Sequence, residues 1–213
     1  MEFNNTLVVL IHGFCRSSKN MQYWKKQLKD VFPNVITPNL PTRYSSLEDC
    51  VKVLSKEMEQ VNPEKYDAIY IAGHSMGGLI AREYLKEYPL SNVKKLVCVG
   101  TPHYGSKLAN IALLFPFSGW IWKPLHALKT SARTQVTTPN LPELKIATIV
   151  SCNNAHWPGK LFLSNESDGL VESSSAHAPD EDITIMTKVP HDPMQYDSYT
   201  ASLIKKFFMT GSF

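Results

Sequence analysis

The chain has 213 residues, with 43% hydrophobic and 19% charged side chains, which is the balance of a globular protein with a full-sized core. A net charge of +3 is too slight for a nucleic-acid binder, so no nucleic-acid partner is expected. The four cysteines, Cys15, Cys50, Cys98 and Cys152, are scattered without a C-x-x-C pair, which signals neither a zinc site nor a disulfide framework.

The start, Met1-Glu2-Phe3-Asn4-Asn5, shows no basic stretch or cleavage site, so the chain is read as cytoplasmic. Thr6 to Ile11 is a continuous β-branched run suited to a strand buried on both faces. It ends in His12-Gly13-Phe14. Met21, Trp24, Leu28 and Phe32 follow at helical spacing, then Val35-Ile36-Thr37 as a short strand. Ser45, with Glu48 three residues on, predicts a capping box. Leu47, Val51, Leu54, Met58 and Val61 form the apolar stripe of the helix behind it, which Asn62-Pro63 closes.

Tyr66 to Ala72 reads as a strand and Leu79 to Lys86 as a helix. Between them lies Gly73-His74-Ser75-Met76-Gly77-Gly78. A G-x-S-x-G between strand and helix is the setting of a nucleophile elbow, a turn so tight that the positions two before and two after the serine must be small. Ser75 is therefore the candidate nucleophile, and the Met76 backbone N–H a candidate oxyanion donor. Val93 to Val99 is the next strand, followed by Gly100-Thr101-Pro102-His103-Tyr104-Gly105-Ser106.

Residues 107–142 break the alternation. Their apolar side chains and four prolines predict a cap over the site. The uncharged run from Leu108 to Trp122, fifteen residues, is shorter than the roughly 20 a membrane span needs. Either these apolar side chains pack on the core, or Leu113, Phe115, Phe117, Trp120 or Trp122 line an acyl pocket, with Phe117, Trp120 and Trp122 as substrate-binding residues. Transient contact with lipid surfaces is a corollary. Leu144 to Ser151 and Ile183 to Met186 are the last strands, and Tyr199 to Phe208 an amphipathic terminal helix.

Strands alternating with helices predict one α/β domain over 1–213. It is a mostly parallel, doubly wound sheet with helices on both faces and ligands beyond the strands' carboxyl ends. A serine needs a histidine to take its proton and a carboxylate to orient that histidine. His191, just after the last strand, is the candidate base, with His177 as rival. Asp168, in Ser167-Asp168-Gly169-Leu170-Val171, is the candidate acid, against Glu166, Glu172 and Asp180. Phe14, two residues past His12, is the candidate second oxyanion donor through its N–H. His12 and His74 are read as supports. This chemistry needs no cofactor, and His103, His126 and His156 share no spacing for a metal.

These motifs resemble the lipase/esterase branch of the α/β-hydrolase family. His12-Gly13-Phe14 is similar to its oxyanion loop and Gly73 to Gly78 to its elbow. Gly100 to Ser106 resembles a segment that many bacterial lipases carry after the next strand. Ser167 to Val171 resembles the acid loop, and His191-Asp192, 23 residues beyond Asp168, the histidine loop. The resemblance implies a minimal α/β-hydrolase fold, starting at the strand that leads to His12. It implies a carboxylic-ester hydrolase working through an acyl-enzyme on a small acyl ester. Thioesterase or acyltransferase chemistry fits the same scaffold, and a non-catalytic binding protein is the rival of another class. The loop after Asp192 does not match the calcium-binding pattern of secreted relatives, so no metal is expected.

Overall fold

The computed structural model describes residues 3–136, 141–155 and 157–213. Six strands form one sheet: β1 (Thr6–Ile11), β2 (Asn34–Ile36), β3 (Ala68–His74), β4 (Val93–Val99), β5 (Lys145–Ser151) and β6 (Ile183–Thr187). Their order is β2-β1-β3-β4-β5-β6, and each neighbouring pair runs parallel. Parallel pairing of consecutive strands requires crossovers, and these put helices on both faces.

Alternate strand residues feed two cores. On one face Leu7, Val9, Ile11, Ile71 and Leu96 meet α2 (Leu47–Val61) and α3 (Met76–Glu87). On the other, Val8, Leu10, Ala72, Val97 and Ile149 meet α1 (Gln22–Leu28) and α9 (Ser198–Thr210). The central strands are buried on both faces, which is why they read as unbroken apolar runs.

The α2 cap lies one residue beyond its predicted place. The Ser45 N–H donates to the Pro41 carbonyl (3.1 Å), inside the preceding turn. Ser46 therefore becomes the cap: its Oγ accepts from the Asp49 N–H, and Asp49 Oδ2 accepts from the Ser46 N–H, both at 3.2 Å. Ser46→Ala is expected to destabilise the fold by about 1 kcal/mol and lower the melting midpoint by roughly 2–4 °C. Ser45→Ala should leave the midpoint unchanged, and calorimetry of the pair checks the assignment.

Between β4 and β5 the chain forms α4 (Lys107–Ala112), α5 (Ser118–Ile121), α6 (Pro124–Leu128) and a 3-10 turn over Thr130–Ala132. Residues 137–140 of the predicted insertion and His156 lie outside the described residues. Two short helices follow, α7 (Trp157–Phe162) and α8 (Ser173–Ala176), which the sequence did not announce.

Candidate functional site

Ser75 sits between the end of β3 and the first residue of α3, with φ +54° and ψ −126°. That is a costly conformation for a residue with a Cβ. The turn closes because Gly73 faces Gly77: a Cβ on Gly73 would come within 2.4 Å of the Gly77 carbonyl carbon. The Ser75 N–H donates to the Val99 carbonyl at 2.8 Å, which ties the elbow to β4. Met76 opens α3, placing its N–H at a helix N-terminus, where negative charge is favoured.

The loop after β1 is held against the elbow. A Cβ on Gly13 would come 2.9 Å from Ser75 Cβ. His12, fully buried, braces this loop: its Nε2 accepts from the Leu40 N–H at 3.1 Å, while its Nδ1 lies 3.2 Å from the Gly13 carbonyl. The Thr42 hydroxyl donates to the same carbonyl at 2.9 Å. Phe14, the predicted second donor, lies on this braced segment and lines the cavity that Ser75 lines.

Beyond β6, His191 starts a 3-10 turn, and its Nδ1 lies 2.6 Å from Asp168 Oδ2. Both residues are buried. The other carboxylate oxygen, Oδ1, accepts from the Leu170 and Val171 N–H groups at 2.9 and 2.7 Å. Gly169, with φ +97°, makes the turn that aims those two N–H groups back at the carboxylate. The His191 N–H also donates to the Asp168 carbonyl at 3.0 Å, so the pair is tied through backbone and side chain. Gly100, with φ +55°, covers this contact. A Cβ there would stand 3.1 Å from Asp168 Oδ2 and 3.2 Å from His191 Nδ1.

Burial pushes the His191 imidazole pKa down, but the charge and hydrogen bond of Asp168, with help from Asp192, outweigh it and hold it above the usual histidine value. His74 behaves oppositely. Burial, and then the neighbouring His191, lower its pKa to about 3, so it stays neutral. Its Nε2–H donates to the His191 carbonyl at 3.0 Å, and the two rings lie 4.9 Å apart. His74 therefore props the loop that carries His191, and His12 props the loop after β1. The rival groups are engaged elsewhere: His177 with Glu181, Glu172 with Lys107, and Asp180 with Arg82.

Ser75 and His191 line one cavity of about 330 Å³. Its walls are apolar, from Leu108, Ala109 and Ala112 of α4, Leu125 and Leu128 of α6, and Leu170 and Val171 of the acid loop. Arg16 and Asp192, paired at 2.6 Å, join the loop after β1 to the loop that carries His191 at its rim.

The expectation for the acyl pocket is corrected here. Phe117, Trp120 and Trp122 do not line this cavity. Phe117 and Trp120 are 76% and 81% exposed, while Trp122 packs against the core beside α2 and α3. Leu113 and Phe115 line an outer groove with Phe117 and Trp120. The insertion lines the cavity with leucines and alanines of α4 and α6 and leaves Phe117 and Trp120 on the outside. The sequence signal was present in Leu108, Ala109 and Ala112, one helical face of α4, and was outweighed by the aromatic residues.

Residues 7–146 match the family described as palmitoyl protein thioesterase. A Drosophila melanogaster protein described as a lysosomal thioesterase PPT2 homologue is 28% identical over 120 residues, 51% of this chain. That stretch takes in 40% of the relative, so the chain matches less than half of its length. Among solved structures, the mature form of a Bacillus licheniformis lipase superposes with a TM-score of 0.76 at 19% identity, over 95% of this chain and 90% of that one. A carboxyl esterase from a metagenome gives 0.71 at 17% identity, over 95% and 70%. At such identities the likeness is one of fold, and that fold is the α/β-hydrolase fold.

Proposed function

The chain belongs to the palmitoyl protein thioesterase family, and on that premise we propose that it is an acyl hydrolase with Ser75 as nucleophile, His191 as base and Asp168 as orienter. The observation that carries this reading is the buried 2.6 Å contact between Asp168 and His191, the latter lining the same cavity as Ser75.

The bonded Nδ1 of His191 carries the proton, which leaves Nε2 free to accept one. In the proposed sequence His191 takes the Ser75 hydroxyl proton as Oγ attacks the acyl carbonyl carbon. The charge that develops on the carbonyl oxygen is met by the Phe14 and Met76 N–H groups. Collapse of the tetrahedral intermediate breaks the bond to the leaving group, which departs with the proton from His191. A water molecule, deprotonated by the same histidine, then attacks the acyl-enzyme and releases the acid. The substrate is an acyl ester whose chain enters the apolar cavity beneath α4 and α6, which act as a cap on a single domain. The second reading, a thioester in place of an oxygen ester, is favoured by the family match, and the same residues serve it. Turnover of octanoyl esters and octanoyl thioesters by the full chain, each after titration with a fluorophosphonate, tests the proposal. Neither substrate turning over, or turnover surviving full labelling, would defeat it.

The cavity walls predict chain-length preference. Each buried CH₂ is worth about 0.8 kcal/mol, so several methylenes should raise kcat/KM tens of fold over acetate. Ala112→Phe fills the hollow from α4 and is expected to remove that gain while acetate hydrolysis changes only a few fold. Phe117→Ala and Trp120→Ala should leave the profile unaltered. A panel of p-nitrophenyl esters run on all three variants checks both statements.

A further inference from the structure

We propose that the outer face of α4, α5 and α7 is a docking surface for an anionic phospholipid membrane, an interaction separate from the chemistry assigned to Ser75. Leu114, Phe115, Phe117 and Trp120 are each at least 67% exposed. On α7, which packs against α4, Trp157 and Phe162 are 73% and 51% exposed. Leaving such side chains in water is unfavourable, and a clustered exposed apolar patch marks an interaction surface. Phe117 adds a second cost. It is a bulky residue held at φ +66°, with its ring turned outward rather than packed. Phe115, Phe117 and Trp120 line one open groove with His126 and Lys129, and no carboxylate lines it.

The charge pattern selects the partner. From Tyr88 to Asn165 the sequence holds one carboxylate, Glu143, against eight lysines and arginines. Glu143 itself pairs with Lys94, and Lys107 pairs with Glu172. Lys129, in the groove, and Lys160, exposed on α7, form no ion pair among the described residues. A second copy of this chain seated on the same face would bring those lysines toward their equivalents without a compensating acid. An anionic bilayer supplies the compensation: aromatic and leucine side chains sit at the headgroup level while lysines meet lipid phosphates. Among the described residues no helix is long and apolar enough to cross a membrane, so the face would lie on the bilayer. Leu108, Ala109 and Ala112 line the Ser75 cavity from α4, whereas Leu113 and Leu114 line the outer groove. A docked bilayer would therefore lie against the helix that roofs the cavity.

Cosedimentation of the full chain with unilamellar vesicles tests the proposal. Binding is expected to vesicles of phosphatidylcholine with phosphatidylglycerol, to be much weaker with phosphatidylcholine alone, and to fall as salt screens the charges. Lys129→Gln with Lys160→Gln should weaken it by about fivefold for each lysine neutralised. Phe117→Ser with Trp120→Ser should weaken it by at least ~10-fold. Both pairs should keep wild-type melting midpoints and wild-type hydrolysis of a short soluble ester, so a loss of binding cannot be a loss of fold. No binding to either vesicle, equal binding to both, or binding that survives both pairs would overturn the proposal. So would a concentration-dependent dimer in sedimentation velocity that Phe117→Ser with Trp120→Ser dissolves and vesicles leave intact.

Discussion

Ser75→Ala is expected to lower kcat by on the order of 10⁵-fold, because removing the proposed nucleophile leaves only oxyanion and binding contributions. The fold should hold. The substitution removes an oxygen that faces a cavity, and it keeps the Cβ that the elbow already accommodates at φ +54°. The melting midpoint should therefore shift by no more than an exposed substitution does, within about 0.5 kcal/mol. Fluorophosphonate labelling should disappear together with turnover. Turnover within tenfold of the unsubstituted chain would remove Ser75 from the chemistry.

Asp168→Asn is expected to cost nearly as much, on the order of 10⁴-fold, by a different route. An asparagine can keep its carbonyl oxygen on the Leu170 and Val171 N–H groups, which now bond Oδ1. Its amide then donates to His191 Nδ1, forcing the ring proton onto Nε2, the nitrogen that must accept from Ser75. The pH profile separates this from simple misfolding. In the unsubstituted chain the Asp168 charge holds the His191 pKa above its usual value despite burial. Activity needs the neutral imidazole, so kcat/KM should rise with pH through a pKa above the ordinary histidine value of about 6.5. Without that charge only Asp192 opposes burial, and the imidazole deprotonates at lower pH. The residual activity of Asp168→Asn should therefore persist further into acid. Identical acidic limbs in the two proteins would show that Asp168 does not govern His191.

The parts of this site that were legible in sequence are those fixed by short-range constraints. A serine flanked by glycines two residues away, between an apolar strand and a helix, has few folds to adopt, and β3 and α3 run directly into and out of it. Asp168 stood out from Glu166 and Glu172 because Gly169 permits the turn that points its carboxylate inward. The bracing contacts of His12 and His74 also followed, since each stands beside a candidate site residue and is buried with a backbone partner.

What could not be read depends on direction and distance. Hydrophobicity marks Phe117 and Trp120 as sticky but does not say whether they face the elbow or the solvent. That is set by how α6 packs against α4 and α5, a matter of tertiary geometry. Ser45 and Ser46 both have an acid three residues on, and only the Pro41 turn, by taking the Ser45 N–H, decides between them. The Arg16–Asp192 pair joins residues 176 apart, which no local pattern announces.

The central claim is that one acyl group passes through Ser75 Oγ in every turnover. Mixing the full chain with p-nitrophenyl octanoate, quenching in acid and mapping the digest by mass spectrometry tests it most directly. The account predicts an octanoyl adduct on the peptide that carries Ser75, formed in the burst of nitrophenol release and lost again as substrate runs out. The same experiment on His191→Ala should show no burst. An adduct on another residue, or steady turnover with Ser75 never acylated, would contradict it.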